Sequence, residues 1–183
     1  MAVAQPITAD EYLANPDETA RSELVEGAVI VHEPSPLHQI VVLDVLRALD
    51  AWVREAPRRG QVWIPLDVKL DARNVFAPDL LWYQEGRTLE RGARAPSPLP
   101  DLAVEVRSPS TWRYDIGAKK SAYERHGLFE LWLVDTAADE VLVFRRSRDS
   151  QTFDISLELT VDDELTSPLL PGFALALRTL FAA

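Results

Sequence analysis

Two carboxylates stand out for the company they keep. Glu105 lies in Leu102-Ala-Val-Glu-Val-Arg107, with a valine on either side. In an extended strand Leu102, Val104 and Val106 share one face, and Glu105 shares the other with Arg107. A charged group in so apolar a run is costly unless it is paired, hydrogen-bonded or bound to a metal. Asp79 opens Asp-Leu-Leu-Trp-Tyr83 after Pro78, where the same alternation sets it opposite Leu80 and Trp82. On neighbouring strands of one sheet face, the two would form a hard oxygen site suited to magnesium. Spacing alone leaves a plainer use open, and it is the commoner one. Such a glutamate usually faces solvent or pairs with an arginine, here Arg107 or Arg113, and an aspartate after proline usually sits in a turn. The dipeptide Pro-Asp also occurs at 16–17 and 100–101.

Two lysines add to this. The run Arg113–His126 has the spacing of a helix, with Gly127 where a left-handed residue would end it. At about 100° per residue, Lys119, Lys120 and Tyr123 fall within about 60° of Ile116, and Asp115 leads Lys119 by one turn. Two uses fit this placement equally. The lysines could snorkel from the edge of an apolar stripe, or one could reach over the sheet toward Asp79 and Glu105.

The elements that must position these groups follow from periodicity. Thr8–Leu13 has a capping-box start, Thr8 with Glu11 three places on. Ala28–Val31 reads as a strand following Glu23-Leu-Val-Glu-Gly27, and Leu37–Arg54 as a helix with a broad apolar stripe. Strands are predicted at Gln61–Leu70, Val75–Tyr83, Leu102–Arg107, Phe129–Val134, Glu140–Arg145 and Phe153–Leu159, then a docking tail at Leu169–Phe181. The central order of helix, three strands, helix and strand predicts an α/β fold, a mixed sheet flanked by helices. The chain reads as one domain, with 1–35 an N-terminal helix and strand, 36–146 the core, and 147–183 a C-terminal strand and tail. Gly86–Pro100 is long and aperiodic for a connection and carries Arg87, Arg91 and Arg94 against Glu90, which marks it as a ligand-contacting candidate.

Composition bounds the function. The 183 residues carry 19 basic and 29 acidic side chains, a net charge of −10, which excludes a surface uniformly basic for nucleic acid but not a local patch. Candidate patches are Gly86–Pro100, Arg145-Arg146-Ser-Arg148, and Arg54 with Arg58 and Arg59. The absence of cysteine excludes disulfides, zinc–thiolate sites and a thiol nucleophile. With no signal-peptide pattern and no apolar run of membrane-spanning length, the expectation is a soluble, cytoplasmic protein with no membrane partner.

Taken in order, Glu23-Leu-Val-Glu-Gly27, Pro34-Ser-Pro-Leu-His38, Val75-Phe-Ala-Pro-Asp79-Leu, Val104-Glu-Val-Arg-Ser-Pro-Ser-Thr111, Asp115 with Lys119 and Tyr123, Trp132-Leu-Val-Asp135 and Ser167-Pro-Leu-Leu-Pro-Gly-Phe173 resemble a large bacterial family of restriction endonuclease-like proteins. That family is a branch of the PD-(D/E)XK nuclease superfamily, and the resemblance runs from about residue 7 to 181. It implies a restriction-endonuclease-like core and metal-dependent hydrolysis of DNA phosphodiesters, with Mg2+ as cofactor and Mn2+ as a substitute. It selects Asp79 and Glu105 as metal-holding acids, with the backbone carbonyl of Val106. Where the superfamily usually has a strand lysine this chain has Arg107; the branch carries its lysine on the following helix, matching Lys119, with Lys120 as competitor. The resemblance further implies Glu23 as a remote carboxylate, His38 as a family histidine, and Tyr123 as a residue that orients Lys119 or packs. Analogy with restriction enzymes adds DNA as partner and a homodimer. A non-catalytic module binding DNA or a protein is the competing reading.

Overall fold

In the computed structural model, which describes residues 5–14 and 22–182, local signals and elements match closely at the start. Helix α1 (Ala9–Ala14) is opened by the reciprocal cap: Glu11 N–H donates to Thr8 Oγ1 at 3.2 Å, and Thr8 N–H to Glu11 Oε2 at 2.8 Å. Strands β1 (Ser22–Val25) and β2 (Ala28–Val31) form a hairpin. Its turn, Glu26-Gly27, has φ of +52° and +84°, the left-handed pair that suits strand twist. Helix α2 (Pro36–Glu55) starts at Ser35, whose hydroxyl accepts the His38 N–H at 3.2 Å, with Pro36 in the first turn where its missing N–H costs nothing.

Then come β3 (Gln61–Trp63), β4 (Val68–Asp71), β5 (Asn74–Phe76), β6 (Leu80–Tyr83) and β7 (Leu102–Val106). One helical stretch follows: α3 (Trp112–Tyr114), a π-helical turn (Asp115–Lys119) and α4 (Lys120–Arg125). Strands β8 (Glu130–Asp135), β9 (Glu140–Arg145), β10 (Ile155–Leu159), β11 (Glu164–Thr166) and β12 (Ala174–Ala176), and helix α5 (Leu177–Leu180), complete the chain. The six-stranded sheet runs β10-β9-β8-β7-β6-β3, with β7 and β8 parallel and the other pairs antiparallel. The helical stretch is the crossover between the parallel pair. The expected mixed sheet flanked by helices is therefore present.

The alternation in β7 sorts the core. Val104 and Val106 face α2, where Val41, Val45, Leu49 and Trp52 pack on Leu80, Trp82 and Trp132. The tail closes this layer as expected: Phe173 stacks on Trp132 with ring centroids 5.7 Å apart, and Leu177 and Leu180 join it. Ala103 lies in the opposite layer with Leu131, Leu133, Phe76 and Tyr123.

Four expectations need correction. Gln61–Leu70 and Val75–Tyr83 are not single strands; each divides between the six-stranded sheet and a separate antiparallel sheet ordered β2-β1-β5-β4. In the second case the break falls at Ala77-Pro78-Asp79, where proline has no N–H to continue a ladder. Phe153–Leu159 shortens to Ile155–Leu159. Ile116 is not on a buried stripe but 45% exposed. The π-helical turn is the reason: the Lys120 N–H reaches back five residues to the Asp115 carbonyl, and the extra residue re-phases the helix.

Gly60 sits where the chain leaves α2 for β3, with φ +72°, and a Cβ there would lie 2.0 Å from the Tyr83 carbonyl oxygen. Gly60→Ala is expected to lower unfolding free energy by more than about 2 kcal/mol, measured by urea denaturation.

Candidate active site

The π-helical turn carries Asp115 and Lys119 inward, and Lys119 is fully buried. Its ammonium lies 2.8 Å from Glu105 Oε1, 2.8 Å from Glu23 Oε2 and 2.9 Å from Asp115 Oδ1. Burial alone would lower a lysine pKa, but these three carboxylates hold Lys119 well above its usual value. Glu23 comes from β1, in the other sheet; its Oε1 also accepts the Ala77 N–H at 2.6 Å, and His32 Nε2 lies 2.7 Å from its Oε2. Against its burial, Lys119 and His32 hold Glu23 down at about 2. Asp115 accepts from the Thr111 hydroxyl at 3.1 Å, which in turn contacts Ser108 Oγ at 2.7 Å.

Glu105 is on the opposite side of this balance. Its burial, together with the like charges of Glu23, Asp115 and Asp79, pushes its pKa well above the usual carboxylate value despite Lys119. The Tyr123 hydroxyl donates to the same Oε1 at 2.9 Å, so both strong contacts fall on one oxygen and Oε2 is left for another partner. Asp79 stands beside it. The β6–β7 register pairs Leu80 with Val104, and one step further sets Asp79 against Glu105. Asp79 Oδ2 accepts the Val106 N–H at 2.8 Å, and Oδ1 lies 3.3 Å from His38 Nε2. His38 Nδ1 lies 3.2 Å from the Val106 carbonyl oxygen.

The structure thus brings Asp79, Glu105, Lys119, Glu23, His38 and Tyr123 to one end of the six-stranded sheet. It separates the other candidates from them. Lys120 turns away, its ammonium 4.5 Å from the centre of the Phe144 ring. Arg107 pairs with Asp135, both oxygens at 2.8 Å from one guanidinium nitrogen. Tyr123 bonds Glu105 rather than Lys119, and His38 is buried, not on the surface. The Val106 carbonyl already has His38 against it. Sequence reasoning missed His32, which has no motif of its own; its only signal was its place just after β2, the strand paired with the one carrying Glu23.

The arginine patches fare differently. Residues Leu102, Glu130 and Arg145 align across β7, β8 and β9, as do Val106, Val134 and Val141 at the carboxylate end. The Gly86–Pro100 loop joins Tyr83 to Leu102, and Arg59 lies against Trp52 at the far end of α2. The Arg54–Arg59 and Arg145–Arg148 patches therefore stand at the end of the sheet away from Asp79 and Glu105; the Gly86–Pro100 loop starts and ends there, while its Ser97 bridges to Val68 of β4. Several are also spent on structure: Arg59 donates to the Trp52 carbonyl, Arg87 pairs with Asp101, Arg145 with Glu130, and Arg146 donates to the Glu124 and Leu128 carbonyls.

A family model described as "Putative restriction endonuclease", Uma2, matches residues 9–178. The chain belongs to that family. A crystal structure of a protein from Anabaena variabilis, described as a putative nuclease belonging to DUF820, has a TM-score of 0.79 at 21% identity, covering 97% of this chain and 98% of the other, so the fold is shared. No curated protein matches the chain. Among the described residues no helix is long and apolar enough to cross a membrane.

Restriction-endonuclease-like folds generally use a divalent metal. Among the described residues no three His, Cys, Asp or Glu side chains form a ready-made metal cage. Magnesium does not need one, since it keeps several waters and takes one or two carboxylates. Asp79 and Glu105 would supply that donor set, in a buried cluster where one ammonium faces three carboxylates and negative charge is in excess. The residues fit the ion.

Without metal, burial and the neighbouring carboxylates favour a proton on Glu105. Because the folded protein holds that proton above the unfolded value near 4.5, the stability it contributes is full below that pH and drains as pH rises. In chelator, the stability of Glu105→Gln relative to the parent is expected to grow between about pH 5 and about pH 8, read from urea denaturation at each pH.

Proposed function

We propose that this chain is a magnesium-dependent DNA endonuclease hydrolysing phosphodiester bonds, with manganese as substitute ion. The observation that carries the reading is the convergence of Asp79, Glu105 and a charged lysine from three separate elements at one sheet end, in a chain of this family. Asp79 and Glu105 would hold the ion, whose chemistry when bound would be to acidify a water and offset charge on the phosphate. Val106 contributes through its N–H, which fixes Asp79; its carbonyl, which faces His38, would be the backbone oxygen available to the ion. Lys119 cannot serve as a base, because its surroundings keep it protonated. Its role is electrostatic: a positive charge behind the carboxylates that favours the extra negative charge of the transition state. Glu23 and Asp115 hold that ammonium, Tyr123 holds Glu105, and His38 holds Asp79. Arg107 is committed to Asp135 and takes no part as a base.

One observation favours the second reading, a nuclease fold kept to bind DNA or a protein partner. Lys119 is wholly enclosed, and its positive charge is more than compensated by the carboxylates that touch it. Cleavage decides between them. With Mg2+ and plasmid DNA, Asp79→Asn and Glu105→Gln are expected to lose at least about a thousandfold in rate, with circular dichroism unchanged. Activity equal to the parent in either variant would overturn the assigned site. Failure of the parent to bind Mg2+ or Mn2+ by calorimetry would favour the binding module.

We also take the 183 residues as a single cytoplasmic domain acting as a homodimer, which would set two active centres on opposite strands. Light scattering at micromolar concentration is expected to give twice the 20.5 kDa chain mass. A mass of one chain would refute the dimer.

A further inference from the structure

The carboxylate end of the sheet needs some means of holding a polyanion, and the arginines of the Arg54–Arg59 and Arg145–Arg148 patches are at the other end. The segment joining Glu105 to Asp115 is different. It runs Arg107-Ser-Pro-Ser-Thr-Trp112-Arg113-Tyr114. Two guanidinium groups and two rings alternate along it, and each cation lies against a ring. Arg107 lies 5.4 Å from the centre of the Trp112 ring and Arg113 4.7 Å from that of Tyr114. Trp112 and Tyr114 are half-buried and Arg113 is exposed. Arg113 donates to the Tyr114 hydroxyl at 2.7 Å, and among the described residues no carboxylate pairs with it. A phosphate could take that guanidinium without breaking an ion pair. Arg58, Arg91, Arg94 and Arg148 are exposed as well, but Arg58 and Arg148 stand at the far end, and Arg91 and Arg94 lie in the loop that joins Tyr83 to Leu102 there.

We propose that Arg107–Tyr114 is the surface that holds an unpaired DNA strand beside the catalytic carboxylates. Arg113 takes a backbone phosphate, and the rings of Trp112 and Tyr114 stack on bases. This rests on the nuclease reading for its substrate class and extends it to the form of the substrate. Alternating cations and rings suit a single strand, whose bases are free to stack, better than a duplex, whose bases are covered. Depth argues the same way. Asp79 and Glu105 are 4% and 3% exposed, and a flexible strand can bring a phosphate up to so buried a pair more readily than a stiff duplex.

The test is anisotropy of a fluorescein-labelled oligonucleotide of about 20 nucleotides, single-stranded and as duplex, in EDTA at several salt concentrations. The parent is expected to prefer the single strand. Arg113→Ala should weaken that binding about fivefold or more and reduce the slope of log affinity against log salt by about one. Tyr114→Leu should weaken the single strand more than the duplex; should that variant not fold, Arg113→Ala, at an exposed position, carries the test alone. The double substitution Arg91→Ala with Arg94→Ala should leave both unchanged. An unaltered Arg113→Ala, a preference for duplex, a loss confined to the Arg91 and Arg94 variant, or no binding by the parent would each overturn the proposal. Because the assay contains no metal, these outcomes are independent of whether Asp79 and Glu105 support cleavage.

Discussion

A single buried ammonium joins the two sheets. Lys119 touches Glu23 on β1, Glu105 on β7 and Asp115 on its own helix, and Glu23 binds the Ala77 backbone where the chain passes between sheets. Without that charge, three carboxylates from separate elements would face one another in a medium that screens poorly, and removing one partner of a buried ion pair typically costs about 3–5 kcal/mol. The cluster is not neutral even with Lys119 in place. It disposes of the surplus unevenly, holding Glu23 ionised while pushing Glu105 toward its protonated form. Two glutamates on one lysine thus have opposite tendencies: Glu23 gains His32 and a backbone N–H, whereas among the described residues Glu105 adds Tyr123.

Asp79 depends on a different constraint. A strand continuing through residues 77–79 would have kept the chain in one sheet and directed this backbone into a ladder. The proline ends pairing, and the aspartate side chain accepts the Val106 N–H in place of a strand neighbour. The break that lets β5 and β6 belong to different sheets is therefore also what fixes one carboxylate at the end of β7. His38 completes the joint because α2 begins there, its first turn set by Ser35 and Pro36.

What could be read from sequence was what local pattern controls. The capping box at Thr8, the extent of α2, the alternation in β7 that singled out Glu105, and the stop at Gly127 with φ +88° all depend on residues close together in the chain. What could not be read depends on partners far apart. Sheet membership is one such property: Val75–Phe76 and Leu80–Tyr83 have the same strand character, and only tertiary pairing assigns them to different sheets. The choice between Lys119 and Lys120 is another. At regular helical phase both lie near one face, and the π-helical turn, with no signature that spacing alone would show, turns the first inward and leaves the second on Phe144. For the same reason His32, ordinary in sequence, becomes a neighbour of Glu23 through hairpin register.

The placement of charge also bears on how a chain of −10 can meet a polyanion at all. Repulsion at long range is screened beyond about 8 Å at physiological salt, so the overall charge matters less than the fields within a turn or two of the site. Within that distance the sheet end is acidic when empty of metal, and its nearest arginine, Arg107, is offset by Asp135. A divalent ion between Asp79 and Glu105 would cancel the charge of those two carboxylates, weakening the repulsion of phosphate and offering it a cation at close range. Metal and substrate would then bind cooperatively for a reason of electrostatics alone. The far-end arginines could not provide this coupling, because the length of a five-residue strand, about 16 Å, exceeds the screening distance.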